Sequence, residues 1–280
     1  MLKKIYFILP FLLTAFLVNS QVVINEYSAS NFDSHLDNYG EYEDWVELYN
    51  TTNSDIDLNG WSLTDKPANL PKWSFTGSFI ISANSVAIIY CSGRDELVGG
   101  VAHTNFKITQ TKVGEVFVLS DASGNIIDSA RAIPAQKSHS RGRDVNGGSS
   151  WSVFTNPTPN TSNTGAMLEY APLPIFSQSS GYYSAPFDLT LSCADPNAIL
   201  YYTTDGSMPD NSANLYTGPF NISSTSVVKA VAYSTNGLVP PSFIDYHTFF
   251  INDTHTVPIL SVSGDSVAVL IEDGLQNIGS

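Results

Sequence analysis

Apolar residues in this chain recur at alternate positions over short runs, and Gly, Asn, Asp, Ser, Thr and Pro collect between the runs. A period of two sends successive side chains to opposite faces, so each run predicts a strand and each polar cluster a turn. In residues 44–65, Val46 and Leu48 are expected to face a core, with Trp45, Glu47 and Tyr49 on the other side. Residues 50–55 are all Thr, Asn, Ser or Asp, whose side chains bond their own backbone, which predicts a turn before Leu58 and residues 61–63 restart the sheet. An earlier strand is expected over residues 22–29, followed by an acidic loop or lid over 30–44. Further strands are expected over 85–92, 115–120 and 126–132, the last two joined by a turn at Ser123-Gly124-Asn125. No run of about ten residues has helical periodicity, so the fold class is all-β.

The second half follows the same grammar. Asp205-Gly206 supplies the positive φ of a tight turn, and Val228, Ala230 and Ala232 alternate with Lys229 and Val231. Residues 156–165, rich in Pro, Thr, Asn and Ser, cannot bury much apolar surface. They suggest a first domain over 21–160, sealed at one end by Trp151 and Phe154, a linker over 161–171 and a second domain over 172–251.

Charge and the N-terminus set the compartment. Lys3 and Lys4 precede an apolar run over residues 5–18 and then Asn19 and Ser20, the layout of a secretory signal peptide over residues 1–20. A retained anchor is the alternative, although the run is shorter than the roughly 20 residues that cross a bilayer. Twelve Lys and Arg stand against 26 Asp and Glu, a formal charge of −14; without residues 1–20 the balance is ten against 26, or −16. Such a chain repels phosphate backbones, so no nucleic-acid partner is expected. Extracellular or cell-surface localisation follows from the signal. No transmembrane segment is expected after its cleavage. Alternation turns Cys91 and Cys193 into separate cores, which argues against a disulfide between them.

Residues 24–27, the run Asn38-Tyr39-Gly40-Glu41-Tyr42-Glu43-Asp44-Trp45-Val46-Glu47-Leu48-Tyr49-Asn50 and the run Leu58-Asn59-Gly60-Trp61-Ser62-Leu63-Thr64-Asp65 resemble the bacterial lamin-tail domain. That resemblance implies an immunoglobulin-like β-sandwich, of the type that precedes CotH-like kinase domains in secreted proteins. Its motif positions are Glu26, Asp44, Trp45, Glu47, Asn50, Gly60, Trp61, Asp65 and Arg143. Residues 181–192, 199–209, 215–220 and 227–233 resemble the chitobiase/β-hexosaminidase C-terminal-type domain, which implies a small fibronectin-like sandwich with Asp205 and Gly206 in its motif. Residues 255–265 resemble the strand leading into a CotH-like kinase domain, making 252–280 a stub of such a domain. Both complete domains are implied to be non-catalytic.

Four kinds of site are read from the residues. Asp33, Asp37, Asn38 and Glu41 set oxygen donors on a Gly-containing loop suited to Ca²⁺, without the spacing of an EF-hand. Otherwise they are solvated acids, and the chain has no cofactor. Glu26 and Glu47 could form a carboxylate pair of the glycosidase kind, but such acids more often bond backbone N–H groups or an arginine. Lys137, His139, Arg141 and Arg143 could hold a phosphate or an acidic polysaccharide, with Arg143 expected in an internal ion pair or carbonyl contact. Tyr182, Tyr183, Tyr201, Tyr202 and Tyr216 could stack on sugar rings, with one ring of each Tyr-Tyr pair facing solvent; Tyr183, Tyr202 and Tyr216 are the glycan candidates. The expected function is a secreted or surface module that binds or presents cell-surface polysaccharide or protein. The alternatives are carbohydrate binding by the second domain and a longer parent kinase.

Overall fold

A computed structural model describes residues 21–110 and 114–253. The expected signal peptide at 1–20 and all but two residues of the expected stub at 252–280 lie outside the described residues. Among the described residues there is no helix, and so none long and apolar enough to cross a membrane. The chain is all-β. It divides into two compact units, one built from residues up to 25 with 44–132, the other from 26–43 with residues 133 onward.

In the first unit, Val22–Ser28, Trp45–Asn50, Val86–Tyr90, Val101–His103 and Glu96–Val98 are neighbours in that order. A second sheet orders Ile126–Arg131, Val116–Ser120, Ser62–Thr64 and Trp73–Ser74. Leu48, Leu63, Phe75, Ile89, Phe117 and Leu119 are buried in its core. Val46 and Leu48 are fully buried as expected, and Trp45 and Glu47 on the opposite side of the strand are fully buried too. The strand lies inside its sheet, and its second face is covered too, with Trp45 packed against Ile88 and Tyr90. Trp45 is paired directly with Tyr90 and Glu47 with Ile88.

The turns follow from named side chains. Asn50 Nδ2 donates to the carbonyls of Ser54, Ile81 and Ser82 at 2.8, 2.9 and 3.1 Å, while its Oδ1 accepts from the Thr52 amide and hydroxyl. That one buried amide fixes the turn after residue 50. Gly60 sits at φ +83°, and a Cβ there would lie 3.2 Å from Ala122 Cβ, so the position needs glycine. Asp121 Oδ1 accepts from the amides of Ser123 and Asn125 and closes the hairpin between Val116–Ser120 and Ile126–Arg131.

In the second unit, Ser140–Arg143 pairs with Trp151–Phe154 and with the end of Val22–Ser28, where Glu26 faces Gly142 and Tyr27 faces Arg141. Phe154 is fully buried, but Trp151 is 38% exposed. Only the phenylalanine therefore seals core, and Trp151 lies instead beside Tyr27 and the Arg143 guanidinium. A five-stranded sheet follows, ordered Gly181–Tyr183, Asp245–Ile251, Ser226–Tyr233, Ile199–Thr203 and Asn214–Leu215.

Its core is two small clusters. Leu191, Leu200, Ala230 and Ala232 lie in one, and Leu189, Ile222, Val228 and Phe249 in the other. The chain breaks strand pairing at Thr190, which is how Leu189 and Leu191 reach different clusters. Cys193, expected to be a buried core residue, is only half-buried against the first of these clusters, with its thiol 3.4 Å from the Pro172 carbonyl. The strand Ser226–Tyr233 is also covered on both faces, so Lys229 is buried beside Met208 instead of facing water. Residues 167–171 are tied by backbone bonds: Val153 and Met167 bridge, and the amides of Leu168 and Ala171 donate to the carbonyls of Leu238 and Pro240.

Candidate binding faces

The two glutamates do structural duty. Glu26 is fully buried, and its carboxylate accepts from the Ser140 hydroxyl at 2.5 Å, the Thr158 amide at 3.0 Å and the Thr158 hydroxyl at 2.6 Å. Burial raises its pKa, opposed by those same hydrogen bonds. Glu47, also fully buried, accepts from Asn25 Nδ2 at 3.0 Å. A general acid must reach a substrate from a cleft; these carboxyls are sealed among strand residues. Their sequence signal was the alternation that put charge inside a strand, which marks a satisfied core acid as readily as a catalytic one.

The basic residues separate into internal roles. Arg141 is almost fully buried and makes a bidentate pair with Glu169 at 2.8 and 2.9 Å, while its Nε and Nη2 donate to the Pro134 carbonyl. Arg141 holds the Glu169 carboxyl below its usual range. The Arg141 guanidinium also lies over the Tyr170 ring. Tyr170 in turn stacks on His139, hydrogen-bonds its Nδ1 at 2.8 Å and accepts from the Gln136 amide. Burial pulls the His139 imidazole below its usual range and pushes the Tyr170 hydroxyl up to about 12. Arg143 Nη1 donates to the Gly148 carbonyl at 2.5 Å. Lys137 pairs with Asp33 at 3.6 Å. Glu169 and Tyr170 are partners that the sequence did not flag, because their meaning lies in contacts about thirty residues distant.

The loop acids are divided in the same way. Asp37 Oδ1 accepts the amides of Tyr39 and Glu41 at 2.8 and 2.9 Å, whereas its buried Oδ2 has no hydrogen-bond partner. Asp33 meets the Ser138 hydroxyl as well as Lys137. Asn38 and Glu41 are exposed on the same loop. Among the described residues no group of three or more His, Cys, Asp or Glu side chains is placed to hold a metal ion. Elsewhere, the Asp44 carbonyl accepts the Cys91 amide. Trp61 is half-buried and its amide closes the turn on Leu58. Asp65 pairs with Lys72 at 2.5 Å. Asp205 Oδ1 accepts from Ser207, and Gly206 takes φ +82°.

Of the five tyrosines only Tyr182 is exposed, so the expectation of one solvent-facing ring per Tyr-Tyr pair holds at 182–183 and is corrected at 201–202, where both rings are half-buried. Tyr183 packs on Phe187 and Phe249. Tyr202 stacks on Phe220 at 4.1 Å, and Tyr216 lies edge-on to both. These three rings are half-buried supports of the two core clusters. Tyr182, in contrast, is 55% exposed. Its ring lies nearly parallel to Phe250, with centroids 4.8 Å apart and planes at 19°. Beside it runs a groove of about 430 Å³ lined by Tyr182, Tyr183, Ser184, Asn252 and Asp253. An aromatic face next to a hydroxyl, an amide and a carboxylate is the donor set that a sugar uses. The parity of the Tyr-Tyr pair signalled two faces, but which face was solvent depended on Phe249 and Phe250, some seventy residues later. A second groove, of about 460 Å³, is lined in part by Cys193, Asp195 and Tyr216.

Comparison with protein families agrees with this order of domains. Residues 18–133 match the family model of the Lamin Tail Domain, and residues 178–243 match that of the Chitobiase/beta-hexosaminidase C-terminal domain. No curated protein matches the chain.

Proposed function

We propose that the chain is an exported, non-catalytic module that binds or presents surface polymer or protein, and that it serves as the N-terminal accessory region of a CotH-type surface protein. The observation that supports this reading is the state of the groups capable of chemistry. Glu26, Arg141, Glu169 and His139 are each engaged in bonds that hold strands or connections. Exposure falls instead to aromatic rings such as Phe32, Tyr39, Tyr42 and Tyr182, which bind rather than react. Retention of the full chain on insoluble surface polysaccharide and on immobilised surface proteins tests the reading. Hydrolysis of a glycan, or phosphate transfer from ATP by this chain alone, would overturn it.

A second reading is carbohydrate binding by the later β domain, favoured by the Tyr182–Phe250 platform and the adjacent polar groove. On that reading Tyr182→Ala abolishes retention on the polysaccharide while Tyr216→Ala does not. The longer-parent alternative places a kinase domain past Ser280, with these β domains positioning it. The mass of the mature protein, taken from culture medium and from washed cells, separates that arrangement from a stand-alone module. Ca²⁺ titration of the unfolding midpoint tests the role assigned to Asp33, Asp37, Asn38 and Glu41.

A further inference from the structure

The loop between the strands Val22–Ser28 and Trp45–Asn50 is sixteen residues long and has no regular secondary structure. Loops of that length inside compact domains are usually functional or disordered. This one is built, and it is built inside out. Its buried residues are polar: Ser30, Asn31 and Asp37. Its large apolar residues face water, with Phe32 63%, Leu36 46%, Tyr39 50% and Tyr42 47% exposed.

The buried polar groups hold the backbone. Asn31 Oδ1 accepts the Ser34 hydroxyl and the His35 amide, while its Nδ2 donates to the carbonyls of His35 and Glu43 at 2.6 and 2.8 Å. Asp37 caps the second half through Tyr39 and Glu41, and the Asp37 amide donates to the Glu41 carbonyl. The Ser30 carbonyl and Asp33 amide are anchored on Ser138. Large side chains presented from a backbone fixed in this way lose little entropy on binding. Four exposed apolar side chains within eleven residues of one loop are what an interaction site supplies.

Charge chooses the partner. Residues 29–44 contain Asp33, Asp37, Glu41, Glu43 and Asp44 and no Lys or Arg, in a chain of formal charge −14. Polyanions and anionic bilayers are repelled by such a loop, and a cationic partner is attracted to it. The protein itself displays the fitting contact. Lys137 Nζ lies 5.9 Å over the Phe32 ring and 3.6 Å from Asp33 Oδ2, so one cation meets a ring and the acid next to it. The run Tyr39-Gly40-Glu41-Tyr42-Glu43 repeats that pairing of aromatic and acid along the loop.

We infer that this loop is a preorganised docking site for a cationic protein segment, one that carries Lys or Arg interspersed with apolar side chains. The inference rests on the reading of the chain as a binding module and names the class of partner. Rings would take the apolar groups and the cation faces, and Glu41 and Glu43 would set register and association rate.

The test uses the full chain as immobilised bait for a displayed library of random peptides about twelve residues long, long enough to span a loop of this size. Enriched sequences should be rich in Lys or Arg with Leu, Phe or Trp. A synthesised member should bind about tenfold more weakly when NaCl is raised from about 50 to about 500 mM. Replacing the rings together, Phe32→Ser, Tyr39→Ser and Tyr42→Ser, should weaken it at least about tenfold without moving the unfolding midpoint. Asn31→Ala with Asp37→Ala keeps the rings but loosens their backbone, and should weaken binding severalfold. Enrichment no greater than on bare resin, enriched peptides that are neutral or acidic, or equal binding to the triple variant would overturn the inference. Equal binding to the triple variant leaves the module reading standing, whereas a chain that retains no peptide, surface polymer or surface protein loses both.

Discussion

Glu26 and Tyr39 lie thirteen positions apart and reverse the usual distribution of charge and ring. The strand Val22–Ser28 buries every residue, Asn25 and Glu26 included, while the loop after it holds Phe32, Leu36, Tyr39 and Tyr42 in water. A buried charge is tolerated where donors satisfy it, and three donors meet Glu26. Exposed rings, in contrast, contribute little to folding and are free to be kept for contact. In these two neighbouring stretches a carboxylate holds strands together while aromatic rings face the surroundings. Substitution at the two sets should therefore give opposite results for stability and binding.

The largest effect is expected at Glu26. Glu26→Ala strands the Ser140 hydroxyl and two Thr158 donors in a sealed site and should destabilise the chain by about 3 kcal/mol in urea unfolding. Glu26→Gln, which keeps the shape and an acceptor, should cost about 1 kcal/mol. Next is Arg141→Lys, which cannot reproduce the fork that serves both Glu169 and the Pro134 carbonyl, and should cost about 2 kcal/mol because an almost fully buried cation loses most of its fitted hydrogen bonds. A destabilisation at either site no larger than that of a surface change would break the contrast.

A smaller effect concerns pH. The Glu26 carboxyl titrates above its ordinary 4.5 in the folded chain, so the native state holds that proton more tightly than the unfolded chain does. Its contribution is fully present below pH 4.5 and is lost as pH rises through the folded pKa. Glu169 acts in the opposite sense. Arg141 holds it below 4.5, so its contribution is present above that value and is lost as pH falls through the folded pKa. The stability advantage of the native chain over Glu26→Gln should therefore shrink as pH is raised from 4.5 toward neutrality, measured as the difference in urea midpoints. A constant or widening difference contradicts the direction assigned to Glu26.

The smallest stability effects belong to the exposed rings. Phe32→Ser, Tyr39→Ser and Tyr42→Ser should each change stability by less than about 0.5 kcal/mol, and Tyr182→Ala by less than about 1 kcal/mol, since it also loses its stacking on Phe250. A change near that of Glu26→Ala at any of them would show that the ring is a core element.

Much of the fold was legible because alternation and turn chemistry are local. The strands Val22–Ser28, Trp45–Asn50 and Ile126–Arg131 match the expected runs to within a residue or two, and Gly60 and Gly206 take the positive φ that their turns require. What alternation cannot state is whether a strand's second face is covered. That depends on strand order, and it is why the faces that carry Glu47 and Lys229 are distinguished by alternation from the apolar ones and yet are buried as well. The sites were legible in residue type and not in partner. Tyr183, Tyr202 and Tyr216 could be recognised as aromatic, but Phe187, Phe220 and Phe249 decide that they face inward. Nor could Asn31 be recognised as the staple of its loop, since its partners reach to Glu43.

The most direct measurement of the account is a paired one on the full chain: urea midpoint, and retention on a panel of surface polysaccharides and proteins, for the native sequence and for a variant with Phe32, Tyr39, Tyr42 and Tyr182 replaced by serine. The midpoint should move by no more than a surface change would cause, with retention lost. A variant that binds as the native chain does, or that loses retention only because it has unfolded, would contradict the assignment of binding to the exposed rings.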